Sequence, residues 1–185
     1  MYKILLLLVS LSFVGCAKAK LEPEDLIDPK YTVAQVEREL KLPPKPEETH
    51  PDYNTYNSVD SNNNKIRDSV ERYIGFKHYP DKQKIVILNA FAKSHFERDL
   101  SFKSGDFNAY ERSLFLSFYS SVCYNKLYGR DLEIELIHSK IKDTEARAIN
   151  ERVRAESVSW GSGLITFKKP INNLKEFCRN KFPLR

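Results

Sequence analysis

FNAYERSLFLSFYSSVCYNKLYG, residues 107–129, decides the fold class. Phe107, Tyr110, Leu114, Phe118 and Val122 recur every three or four residues, the period of an α-helix with one apolar face. Phe115, Leu116 and Tyr119 widen that face. Asp106 stands where an N-cap belongs and Gly129 where a helix stops. The segment reads as the central and most buried helix of the domain.

Working outward, DKQKIVILNAFAKSHFERDL (Asp81 to Leu100) carries a second stripe of Ile85, Leu88, Phe91, Ala92, His95 and Phe96. Asp81 is its N-cap candidate, and Gly105 breaks the chain before the central helix. On the other side lies the charge-laced run DLEIELIHSKIKDTEARAINERVRAES, Asp131 to Ser157. Leu132, Ile134 and Leu136 alternate as in a strand. Ile134, Ile137, Ile141, Ala148 and Val153 suit a helix better, with Asp143–Arg147 as an i,i+4 pair. One or two helices are expected, broken near Lys142. SWGSGLITFKKP then reads as a loop or short extended piece. Pro170 opens a last helix, INNLKEFCRNKF, at its first position. There is no internal repeat. The expectation is an all-α fold, a small helical bundle of about five helices.

Composition agrees with a soluble globular domain: 185 residues, 41% hydrophobic and 30% charged, with ten Tyr and eleven Phe for the core. The net charge of +5 is mild, and the basic residues are scattered. That argues against nucleic acid as a partner. It leaves room for weak attraction to an anionic envelope surface.

The first sixteen residues, MYKILLLLVSLSFVGC, stand apart. Lys3 precedes an apolar run, Ile4 to Val14, too short for a bilayer core of ~30 Å, which takes a helix of ~20 residues. This is the pattern of a secretory signal. Its end, Phe13-Val14-Gly15-Cys16, resembles the lipobox of bacterial lipoproteins, with Phe13 where Leu is usual. The resemblance implies removal of residues 1–15, a lipid on the Cys16 thiol, and anchoring in a membrane without a spanning helix. Ala17, rather than Asp, after the cysteine implies the outer membrane of a Gram-negative envelope, with the chain facing the periplasm. The other two cysteines, Cys123 and Cys178, form an even pair in an oxidising compartment, which favours a disulfide over two buried thiols.

Residues 16–51 read as a tether. KLPPKPEETHP, Lys41 to Pro51, holds four prolines in eleven residues and favours extended polyproline II. Just before it, Val33, Val36 and Leu40 sit at helical spacing in YTVAQVERELKL, a short helix that can lie against the domain. The compact domain spans residues 52–185.

Its entry, VDSNNNKIRDSVERYI (Val59 to Ile74), crowds oxygen-bearing side chains ahead of a helix. With Asp60 as loop position 1, Asn62 is position 3, Asn64 is 5, Ile66 is 7, Asp68 is 9 and Glu71 is 12. That order matches a twelve-residue calcium loop, in which position 7 gives a backbone carbonyl and position 12 a bidentate Glu. The stretch resembles the loops of EF-hand-like and dockerin-type modules, and a segment that recurs in uncharacterised Gram-negative envelope proteins. The resemblance implies calcium held by Asp60, Asn62, Asn64, Ile66, Asp68 and Glu71 over residues 60–71. It departs at position 6, where Lys65 replaces the usual Gly in a left-handed turn, at a cost on the order of 1 kcal/mol. Lys65 and Arg67 also add positive charge, so a weak site of roughly 10⁻⁴ to 10⁻³ M is expected. The competing reading makes Asp68-x-x-Glu71 a capping box on a helix from Ser69, with the asparagines as turn formers.

Enzyme signatures are sparse. His50, His78, His95 and His138 contain no i,i+4 pair and no HExxH, so catalytic zinc is not indicated. GxSxG and Gly-rich phosphate loops are missing. Cys123 on an aromatic helix suits a core or a disulfide better than a thiol nucleophile. His95 suits the core, and Trp160 suits a partly buried anchor. The resulting expectation is a non-enzymatic envelope lipoprotein that binds an envelope protein or cell-wall partner. The alternatives are an envelope hydrolase with an unrecognised active site, and an immunity-type lipoprotein that masks another factor.

Overall fold

The computed structural model describes residues 22–55, 58–130, 132–143 and 173–183. The leader, Cys16, and the expectations placed on residues 144–172 lie outside them. Those expectations include the Asp143–Arg147 pair, Trp160 and Pro170.

The fold is all-α. A 3₁₀ turn, Pro23–Leu26, is followed by α1 (Val33–Leu40), α2 (Asp68–His78), α3 (Lys82–Ser104), α4 (Phe107–Tyr128), α5 (Glu133–Ile141) and α6 (Leu174–Lys181). Among the described residues there is no strand, and no helix is long and apolar enough to cross a membrane.

Local chemistry sets most of the helix ends. Asp81 accepts from the Lys84 amide at 2.9 Å and opens α3; Asp106 accepts from the Ala109 amide at 2.9 Å and opens α4. Gly105, at φ +72°, closes α3 in the left-handed conformation that glycine adopts without steric cost. Lys142 ends α5, where the sequence places a break. The last helix differs from expectation. It starts at Leu174 with Asn173 as its cap, because the Asn173 side chain takes the Glu176 amide at 3.2 Å.

The buried centre is not where the apolar stripe places it. The structure makes α2 the most buried helix: Val70, Tyr73, Ile74 and Phe76 are buried, and so are Asp68, Glu71 and Arg72. In α4 the buried residues are Ser113, Ser120, Cys123 and Tyr124, whereas Phe107 is 81% exposed and Phe118 is 37% exposed. The two long helices, α3 and α4, joined through Gly105 and Asp106, pack along each other. Ser94 and Ser101 of α3, and Ser113 and Ser120 of α4, are buried, and each hydroxyl donates to a carbonyl of its own helix. Buried hydroxyls satisfied in this way cost little and allow close approach.

Ile74, Ile87, Leu88, Tyr124 and Ile137 form the main core with Cys123 and Cys178. Cys123 and Cys178 are joined in a disulfide that ties α6 to α4. A second, smaller core of Val36, Phe76 and Tyr79 lies on the other side of α2. Residues 22–43, part of the stretch read as a tether, build it against Phe76 and Tyr79. The short helix expected there does form, and it folds back onto the domain because α2 offers both an apolar seat and a buried cation.

Candidate functional site

The polar loop folds around its own carboxylates. Asp60 Oδ1 accepts from the Asn64 amide at 3.1 Å and Oδ2 from the Lys65 amide at 3.0 Å. Asn62 Oδ1 takes the Asn64 amide at 3.2 Å, and Asn64 Oδ1 takes the Ile66 amide at 2.8 Å. These bonds wind the chain into a tight turn with two left-handed residues, Asn63 at φ +56° and Lys65 at φ +70°. Position 6 therefore adopts the conformation a calcium loop asks of it, although it is not glycine.

The far end of the loop comes back to the start. Glu71 Oε2 accepts from Asn62 Nδ2 at 3.1 Å and Asn64 Nδ2 at 2.8 Å. Asp68 is fully buried and accepts from the Ser61 amide at 3.0 Å. Positions 1, 3, 5, 9 and 12 are thus drawn into one hydrogen-bonded loop. Ile66, at position 7, packs its side chain into the main core. Burial pushes the Asp68 carboxyl above its usual range, against the pull of its hydrogen bonds to Ser61. Burial does the same to Glu71, outweighing its bonds from Asn64 and Asn62.

The capping-box alternative does not form. Helix α2 begins at Asp68 itself, with Arg67 as an N-cap that makes no side-chain cap bond. The side chains of Asp68 and Glu71 turn back into the loop instead. Arg67 also departs from expectation. Its guanidinium leaves the loop and meets Asp143 at 3.0 Å and the Lys140 carbonyl, so its charge is used at the end of α5.

The donor set is all oxygen and of the kind a hard divalent cation takes. Among the described residues, no three His, Cys, Asp or Glu side chains stand together as a metal cluster. An ion in this loop would draw on the amide oxygens of Asn62 and Asn64 and the carbonyl of Ile66 as well as the carboxylates. Two amide NH₂ groups point at Glu71, bringing the positive ends of their dipoles to the carboxylate.

A second polar cluster lies between α2 and α5. Lys77 Nζ is 2.9 Å from Glu133 Oε2, His78 Nε2 is 3.1 Å from Oε1, and Lys77 also donates to the Tyr73 hydroxyl at 2.9 Å. Burial alone would raise the Glu133 carboxyl; the contacts of His78 and Lys77 outweigh it and hold the group at about 2. Sequence reasoning missed this cluster, and it missed Arg72. The Arg72 guanidinium is 3% exposed and donates to the Pro43 carbonyl at 2.8 Å, to Glu37 at 2.7 Å and to Glu24. The one local sign was an arginine on the same helical face as Gly75, Phe76 and Tyr79.

A scan against known protein families, a search of curated proteins and a search of solved structures each found no match to this chain.

Proposed function

We propose that this chain is a lipoprotein of the Gram-negative envelope, anchored through Cys16 in the outer membrane and facing the periplasm. Its helical domain is organised by a structural calcium loop and serves as a non-enzymatic binding module for an envelope protein or cell-wall partner. The observation that carries this reading is the conformation of residues 60–71. Lys65 takes the left-handed turn of position 6, and Glu71 at position 12 reaches back to positions 3 and 5. The Cys123–Cys178 bridge supports an oxidising compartment.

Calcium would be held by Asp60, Asn62, Asn64, Asp68, Glu71 and the Ile66 carbonyl, and would supply positive charge that ties the loop to α2. Asn62 and Asn64 donate to Glu71. Turning these amides over would offer oxygen instead of N–H to the same space, and would give up the bonds that Asn62 Oδ1 and Asn64 Oδ1 accept from the Asn64 and Ile66 amides. Asn64→Asp tests that reading: it removes a donor to Glu71 and adds a carboxylate ligand. Calorimetric titration should find tighter calcium binding in Asn64→Asp than in the wild type, and weaker binding in Asp60→Ala. No heat of binding in any of the three would reject the calcium loop. Mass spectrometry of the protein from its native membrane tests the anchor, with an acylated Cys16 expected at the N-terminus.

The alternative, an envelope hydrolase, would centre on His78 and Glu133, where a histidine meets a carboxylate. Both side chains are 7% exposed and engaged with each other. That burial favours a structural role for the pair.

A further inference from the structure

Residues 22–43 lie on α2 much as a bound ligand would. Val36 is fully buried against Phe76 and Tyr79, with Leu40, Leu42, Ile27 and Tyr31 around it. Gly75 lets the segment approach: a β-carbon there would stand 2.8 Å from Leu42 Cδ2 and 3.3 Å from Leu40 Cδ1. Arg72 supplies the polar half, through Pro43, Glu37 and Glu24, and the Tyr79 hydroxyl donates to Glu39 at 2.6 Å.

The chain that follows is much longer than this docking needs. Its start is held where the Pro43 carbonyl meets Arg72, and its end where the Val59 carbonyl takes the Asp68 amide at 2.9 Å. Positions 68 and 72 are one helical turn apart, about 6 Å along the axis. Residues 44–58 are fifteen in number and could reach about 50 Å fully extended, far more than this gap. The connection therefore does not force the segment onto α2; side-chain contacts do, with Leu26 and Leu40 also reaching the edge of the main core, and contacts of this kind can open locally without global unfolding.

We propose that residues 22–43 are a strap that sets how far the folded domain stands from its attachment point at Cys16. This rests on the lipid-anchor reading. With the strap docked, only five residues, 17–21, separate Cys16 from the fold, and five residues reach at most about 18 Å. With the strap released, residues 17–58 become the tether, and a flexible chain of that length spans roughly 35 Å. One side-chain interface thus chooses between a domain held at the membrane surface and one that reaches away from it.

The test uses the chain from Cys16 onward, coupled through the Cys16 thiol to a maleimide lipid in a supported phosphatidylcholine bilayer. Neutron reflectometry reads the distance from bilayer to protein layer. Val36→Asp puts a carboxylate into the apolar seat while leaving α2 untouched, and it should move the layer outward by about 20 Å, the difference between the two spans. Gly75→Leu, which blocks the seat from the α2 side, should move it the same way. Equal layer positions in all three proteins would overturn the strap. Docking is read separately in solution, from spin labels at Lys30→Cys and Lys126→Cys in a Cys16→Ser background. One narrow distance is expected, broadened by Val36→Asp; a broad distribution without Val36→Asp would equally overturn the strap. Unmodified Cys16 in native membranes would instead remove the anchor while leaving the solution distances as they are.

Discussion

Helices α2 and α4 make opposite use of their sequences. α4 is long, aromatic and plainly amphipathic, yet it buries mainly Ser113, Ser120, Cys123 and Tyr124. α2 has eleven residues, several of them charged, and eight are buried. The difference is in their neighbours. Among the described residues α4 lies along α3 and touches α6, and Leu116, Tyr119, Leu127 and Tyr128 are only partly buried against the core. α2 is surrounded by the polar loop, the strap, α3 and α5, and three of these take its polar side chains: Asp68 and Glu71 go to the loop, Arg72 to the strap and Lys77 to α5. Apolar periodicity reports what a helix can bury. How much it does bury depends on how many elements close around it, and charged groups are tolerated at the centre when each meets a partner.

Substitutions that separate these two helices can break that comparison. The largest effect is expected at Phe76, fully buried under the strap. Phe76→Ala should cost about 3–5 kcal/mol in denaturant unfolding. Next is the Cys123–Cys178 bridge, which closes a separation of 55 residues. Cys178→Ser should cost up to about 4 kcal/mol, the chain-entropy figure for a loop of this length, read as a lower unfolding midpoint.

A smaller, pH-dependent effect belongs to Glu133. Its folded carboxyl sits at about 2, below the ordinary 4.5. A depressed carboxyl adds stability that is fully present above about pH 4.5 and lost as pH falls toward 2. Glu133→Gln should flatten the acid side of the stability profile in that window. An unchanged slope would mean that the α2–α5 cluster is not held by this charge. The smallest effect is expected at Phe107, 81% exposed on α4. Phe107→Ala should leave stability within about 0.5 kcal/mol. A large loss there would restore α4 as the buried centre.

Local features were legible in the sequence because their causes are local. Asp81 and Asp106 cap the next helix, Gly105 stops one, and Ile85, Leu88 and Phe91 are buried at helical spacing. Lys65 was legible too, since the loop pattern demands a left-handed residue at that place. What escaped depends on distant partners. Glu24, Glu37 and Pro43 are 29 to 48 positions away from Arg72, so its partners are not announced by the residues around it. The facing of α4 escaped for another reason: its buried serines, Ser113 and Ser120, carry no apolar signal, whereas the exposed Phe107 and Phe118 do.

The account depends most on the loop that feeds α2. Thermal melts in 10 mM calcium and in chelator, for the wild type and for Asp60→Ala, test it directly. An ion that binds the folded state alone at roughly 10⁻⁴ to 10⁻³ M adds about 1.4–2.7 kcal/mol at that concentration. For a chain of this size the midpoint should rise by roughly 3–10 °C. The account predicts this rise in the wild type and its loss in Asp60→Ala. Wild-type melts that coincide with and without calcium would contradict it, leaving the loop closed by Asn62, Asn64 and Glu71 alone.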